Sequence, residues 1–263
     1  MRKLTAITLY CLLGASAFAQ DLTQNFKNWY LGSVNLKLSK TNSISLGHLS
    51  SFDADGYDYG FMQNRLNFNH KFGKSWTGTI GYAHSIIGVG DDDPTTFSRV
   101  HLAASHRLKH NHLRIQNKVQ LEQYFTQLPK YRSRAILSTK WQYYDKNLPL
   151  RLSPYVKHQV FYYQGGEEIP YELDPEDIED GEERFIEQSP NGWHRYRFTT
   201  GVKARLSPEL SLTLFYTLQR EFNTGLDPFR EINVENPSGG KTLQPFNNYS
   251  LLGVSLVYTF KLY

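Results

Sequence analysis

His48 and Ser50 stand two residues apart in a segment where apolar and polar residues alternate, so a strand would place both on one face. A histidine base beside a serine nucleophile is the pairing used in acyl transfer, provided that a third polar group orients the ring. Spacing identifies no such partner, and the shared face is an apolar one, with Ile44 and Leu46. A second feature is a set of cations on the polar phase of successive segments: Arg65, Arg107, Arg114, Lys118, Arg134, Lys140, Lys157, Arg195, Arg197, Lys203 and Arg205. Acids on that phase are few, chiefly Glu122 and Glu221. Lining an open pore, these cations would concentrate anions and acidic solutes. Paired with Glu122, Glu221 and backbone carbonyls, they would instead fill the space they face.

A third set is acidic. Glu167, Glu168, Glu172, Asp174, Glu176, Asp177, Glu179, Asp180, Glu182, Glu183 and Glu187 crowd the segment Gly165–Ser189, against one base, Arg184. Carboxylate oxygens attract divalent cations, but the spacing is not that of an EF-hand, and a solvated charge run is the plainer expectation. The nine histidines are scattered without metal-ligand spacing. Phosphate loops and dinucleotide fingerprints are absent, so neither a cofactor nor a metal is expected.

The elements that must position these residues are long alternating runs. From Arg195 to Leu206, Tyr196, Phe198, Val202, Ala204 and Leu206 share one face, and Arg195, Arg197, Thr199, Lys203 and Arg205 the other. After Ser207-Pro208-Glu209 the alternation resumes from Leu210 to Phe222. Ordinary strands run about 5–6 residues, whereas these are roughly twice as long. Eleven such runs can be counted, the first near Tyr30–Leu38 and the last Tyr249–Leu262. Gly, Pro, Asn and Asp fall in the joints. Short joints alternate with mostly longer ones, as periplasmic turns alternate with external loops in an outer-membrane barrel. Such barrels usually have an even strand number. A twelfth strand is therefore expected, from Leu22–Asn28 or around Arg230–Val234.

The start of the chain reads as an export signal. Arg2 and Lys3 precede a mostly apolar stretch to Phe18, and Ala17-Phe18-Ala19 fits a cleavage site, giving a signal peptide over 1–19. The single cysteine, Cys11, lies within it, so no disulfide framework is expected. No segment reaches the 18 or more apolar residues of a membrane helix. Aromatics make up 14% of the chain, suited to girdles at two bilayer interfaces. Trp76, Trp141 and Tyr143 occupy the apolar phase next to short joints. The net charge of +4 does not point to nucleic acid, because the basic residues fall on an inward face.

Several stretches also carry a family likeness: Gln63-Asn64-Arg65-Leu66 with Gly81-Tyr82, His106-Arg107-Leu108, Tyr131-Arg132-Ser133-Arg134, Arg195-Tyr196-Arg197-Phe198 and Leu252-Gly253-Val254. With the signal peptide and hairpin spacing, they resemble the uncharacterised outer-membrane barrel family catalogued as domain of unknown function 2490. The resemblance implies a barrel in a Gram-negative outer membrane and implies no activity. The acidic insertion looks peculiar to this chain. His48-Leu49-Ser50 is similar to the His-x-Ser of outer-membrane phospholipases, but Ser51-Phe52-Asp53 follows where Asn-Gly-Arg would be expected.

The expectation is an all-β, transmembrane, antiparallel up-and-down barrel over 20–263, of about twelve strands, with ten as the alternative. It would be a structural or accessory barrel without catalytic activity, largely plugged by inward polar residues. A narrow anion-favouring pore is the second reading, and a lipid-acting enzyme the third. Its partners would be outer-membrane lipid, the barrel assembly machinery during biogenesis, and divalent cations at the acidic loop.

Overall fold

The computed structural model describes residues 25–53, 59–89, 93–145, 147–174, 176, 178 and 184–263. The expected signal peptide lies outside them. In chain order the strands are β1 (Phe26–Lys37), β2 (Asn42–Asp53), β3 (Tyr59–Phe72), β4 (Trp76–Ile87), β5 (Thr95–His110), β6 (Leu113–Tyr124), β7 (Ser133–Tyr143), β8 (Ser153–Gln164), β9 (Ile169–Glu172), β10 (Phe185–Gln188), β11 (Gly192–Arg205), β12 (Leu210–Glu221) and β13 (Tyr249–Lys261). All but β9 and β10 form one closed barrel, in the order β1-β13-β12-β11-β8-β7-β6-β5-β4-β3-β2. β9 and β10 make a separate two-stranded hairpin within the acidic segment.

The barrel therefore has eleven strands, one fewer than the even number expected. Of the expected Leu22–Asn28 segment, Phe26–Asn28 open β1 and 22–24 lie outside the described residues, and Pro228–Arg230 is a 3-10 turn. Closure is possible because β1 and β13 pair in parallel, Phe26 with Ser250 through Lys37 with Lys261. Every other barrel pair is antiparallel. An odd count makes the first and last strands run the same way, and a parallel ladder costs only slightly more per residue than an antiparallel one.

The joints sort between the two ends. At one end, here the turn end, residues 38–41, 73–75, 111–112 and 206–209 make tight connections. Residues 144–152 are the longer exception and contain a 3-10 turn over Pro149–Arg151. Gly73 and Asn111 adopt positive φ, which these tight reversals require. The opposite, loop end carries the long connections, including 165–191 and 222–248.

Alternation divides each strand as the pleat dictates. Leu46, Ile80, Leu102, Leu121 and Leu214 are half or more exposed on the outer face. Inward residues of the barrel include Gln63, Ala83, Glu122, Thr217 and Gln219, all buried. Inside, Phe215 fills the space left by Gly253 on the neighbouring strand, where a Cβ would collide with its ring.

Candidate functional site

Two glutamates organise the loop end of the interior. Glu122, third from the end of β6, is 4% exposed. It pairs with Arg134 of β7 and lies 3.4 Å from Arg99 of β5. Gln120 Nε2 and the Tyr124 hydroxyl also donate to it, at 2.5 and 3.2 Å. Arg99 passes the network on to Gln63, which donates to Ser85 at 2.9 Å. Glu221 ends β12 and is equally buried. Its Oε1 accepts from Arg195 Nε at 3.0 Å, Arg195 Nη2 at 2.5 Å and the Tyr163 hydroxyl at 2.8 Å. Its Oε2 accepts from Lys130 and from the Asn247 backbone N–H at 2.8 Å. A buried carboxylate is tolerable only when its lone pairs are satisfied in this way. Burial lowers the pKa of Lys130 from the ordinary lysine value, and the adjoining Glu221 carboxylate opposes that shift.

Aromatic rings fill the gaps between these ions. The guanidinium carbons of Arg134, Arg195 and Arg197 lie 5.6, 5.6 and 5.3 Å from the Phe161 ring centre. Tyr131 receives a hydrogen bond from Arg134 at 3.1 Å. The loop after β12 then folds over this layer. Ile232 is fully buried against Ile136, Phe161 and Tyr163, flanked by Tyr131 and Phe246. Asn223 holds the Ile232 backbone at both ends, at 2.7 and 2.9 Å. The region around Arg230–Val234, expected as a possible strand, is therefore a folded-in loop with one isolated bridge, Val234 to Leu243.

Towards the turn end the balance changes. Lys118, Lys140 and Lys157 line a cavity of about 260 Å3 with Gln116, Gln120, Ile136, Ser138 and Gln159. Lys140 Nζ sits 3.7 Å from the Tyr155 ring centre. Arg114 stacks over Tyr144 at 5.1 Å, and Arg205 donates to the turn carbonyls of Ser207 and Pro208. Arg65, Arg107 and Lys203 occupy the same inward phase. Among the described residues, none of these eight cations has a carboxylate within 4 Å. Arg197 is instead held by Gln219 and by the Tyr249 hydroxyl at 3.0 Å. The interior is thus ion-paired at one end and basic at the other.

The profile of the family described as "Protein of unknown function (DUF2490)" matches residues 26–230, from the first residue of β1 into the folded-in loop. The chain belongs to the DUF2490 family. Among curated proteins, none matches it. In this DUF2490 barrel, β13 and Ile232 lie beyond the matched stretch.

The outer face of the DUF2490 barrel carries the remaining chemistry. His48 Nδ1 lies 2.8 Å from Asn64 Oδ1, and His48 Nε2 lies 2.9 Å from Ser50 Oγ. Asn64 is thus the polar partner of His48 that sequence spacing does not reveal. It is 16 residues away and becomes a neighbour only through the β2–β3 register, which sets His48 opposite Asn64. Arg99, Lys130, Tyr163 and Ile232 are likewise found only in the structure. Of these, Arg99 shares the inward phase of Arg107, the one signal that could have identified it.

In the acidic segment, Arg184 pairs with Glu172 across the β9–β10 hairpin. Asp177, Glu179, Asp180, Glu182 and Glu183 lie outside the described residues. Among the described residues, no three of His, Cys, Asp or Glu converge as metal ligands.

Proposed function

We propose that this DUF2490 protein is an integral outer-membrane barrel, closed at its external mouth and basic within. The observation that carries this reading is buried Glu221 with its five donated hydrogen bonds, one of them from Tyr163, against which Ile232 packs. A path through the barrel would have to part those bonds. The basic cavity on the turn side of this layer would then serve as a vestibule for small anions. Membrane insertion is supported by the outward apolar face and by strand length. Nine to eleven tilted residues cross a hydrocarbon core, and the barrel strands run from 11 to 16. The turn end would face the periplasm, and β13 would be the strand that the barrel assembly machinery engages.

Fractionation of cells expressing the full chain tests insertion. The protein should partition with the outer membrane, migrate faster on gels before heating than after, and resist carbonate extraction. In vesicles, lipids brominated near the ester should quench tryptophan more strongly than lipids brominated at the acyl terminus. Trp76 and Trp141, exposed near the turn end, dominate that signal. A protein recovered from the soluble periplasm would sink the membrane reading.

A further inference from the structure

We propose that Ser50, His48 and Asn64 form a nucleophile, base and positioning group that hydrolyse acyl esters of lipids lying against the outer face. The choice of lipid as substrate rests on the membrane reading above.

The trio spans two adjacent strands and is fixed by their ladder. His48 and Ser50 share a face of β2, and Asn64 of β3 stands directly across from His48. Among the described histidines, His48 is the one that holds a side chain at each ring nitrogen. His70, His84 and His158 each engage a side chain through Nδ1 alone. The tautomer follows from the partner. An amide oxygen only accepts, so Nδ1 carries the proton toward Asn64. Nε2 is then left with its lone pair 2.9 Å from the Ser50 hydroxyl, the arrangement a general base needs.

The surroundings suit an acyl chain. Gly32 of β1 pairs with His48, and nothing lies within 4 Å of where its Cβ would be. The missing side chain opens a groove of about 480 Å3, with His48 and Asn64 on its wall and Val34, Leu46, Leu256 and Tyr258 along its length. Ser50 pairs with Tyr30, whose ring packs edge-on against Phe52 at 5.8 Å, near the loop end of the strand. Aromatic rings of that kind mark the depth of lipid headgroups and ester carbonyls. An ester at Ser50 would let its chain run down the groove toward Leu46 and Tyr258.

The chemistry balances without a cofactor. Ser50 Oγ attacks the ester carbonyl carbon while His48 Nε2 takes its proton. The tetrahedral intermediate collapses, the bond to the alcohol oxygen breaks, and His48 returns the proton to that alcohol. Water then attacks the acyl-Ser50 carbonyl, giving a proton to His48. The fatty acid leaves as Ser50 Oγ regains a proton from His48. The sum is ester plus water to carboxylic acid plus alcohol.

The test uses the purified, folded full-length barrel in detergent, with a fluorophosphonate probe and mixed micelles of phosphatidylethanolamine. The probe should label Ser50, identified by peptide mass, and fatty acid should be released. Ser50→Ala and His48→Ala should lower hydrolysis by about 10³-fold or more. Asn64→Ala should lower it by about 10- to 100-fold and shift the acidic limb of the pH profile, with Asn64→Asp restoring the rate. A purely structural Asn64 would move neither. Folding of each variant is read separately from its unheated gel migration. A folded wild-type barrel that is neither labelled nor hydrolytic overturns the triad, as does undiminished hydrolysis by Ser50→Ala. Fractionation of the same protein reports membrane insertion independently, so an inert protein in the outer membrane sinks the triad alone. Hydrolysis by a soluble protein would sink the membrane reading alone.

Discussion

Glu221→Gln should destabilise the folded barrel by about 3–5 kcal/mol, the cost of leaving buried cations without their counter-ion. Glutamine keeps the shape but removes the charge, and its NH2 group places donors where one carboxylate oxygen accepted. Arg195, 8% exposed, and Lys130 would then face one another with only the Tyr163 hydroxyl and neutral amides nearby. The loss should be read as a fall in the urea midpoint of the unheated, fast-migrating gel band. Adding Arg195→Met should recover part of it, since the double variant removes one stranded cation along with the carboxylate. High salt should recover little, because the pair is shielded from counter-ions. A midpoint unchanged by Glu221→Gln would mean that the loop-end ion layer does not hold the barrel.

Lys157→Met should have the opposite sign. Lys157 shares the basic cavity with Lys118 and Lys140, and among the described residues no carboxylate lies within reach. Removing one of several like charges from a partly desolvated site relieves repulsion, and methionine fills the space without strain. Water reaches this cavity, so the gain is modest, about 1–2 kcal/mol. It should be largest in dilute buffer. In sulfate it should shrink, because anions entering the cavity supply the missing counter-charge to the wild type. A loss of stability comparable to that of Glu221→Gln would place Lys157 in an ion pair and contradict the basic vestibule.

Much of the fold is legible in the residues. Period-two alternation finds all eleven barrel strands, and the sorting of the joints gives the barrel its two unlike ends. Direction is a different matter. Alternation in β1 is the same read either way, so nothing in the residues around Phe26 says that this strand pairs in parallel with β13. The even strand number is a habit of barrels, and one parallel closure is enough to escape it. Ile232 and Val234 show why short alternation misleads. Two apolar residues spaced by one fit a strand edge and a folded-in loop equally well, and only the burial of Ile232 against Phe161 decides between them.

The candidate sites were partly legible for a related reason. Sequence tells which face a side chain takes and leaves its cross-strand neighbour open, because register is set by the whole ladder. Arg134 and Glu122 could be placed on one face, yet the convergence of Arg99, Arg134 and Tyr124 on a single carboxylate required the β5–β6–β7 register. Lys130 reaches Glu221 from a loop, where periodicity carries no signal. Asn64 is the clearest case. It lies within the motif Gln63-Asn64-Arg65-Leu66 that carries the family likeness, yet its partnership with His48 emerges only when β2 and β3 are aligned.

Planar-bilayer recording of the refolded full-length protein tests the closed mouth most directly. With the glutamate layer and the Ile232 lid in place, insertion should produce no unitary current steps in potassium chloride at moderate voltage. Reproducible steps from the wild-type protein would contradict a closed barrel, and an anion-selective reversal potential would assign the basic interior to a pore.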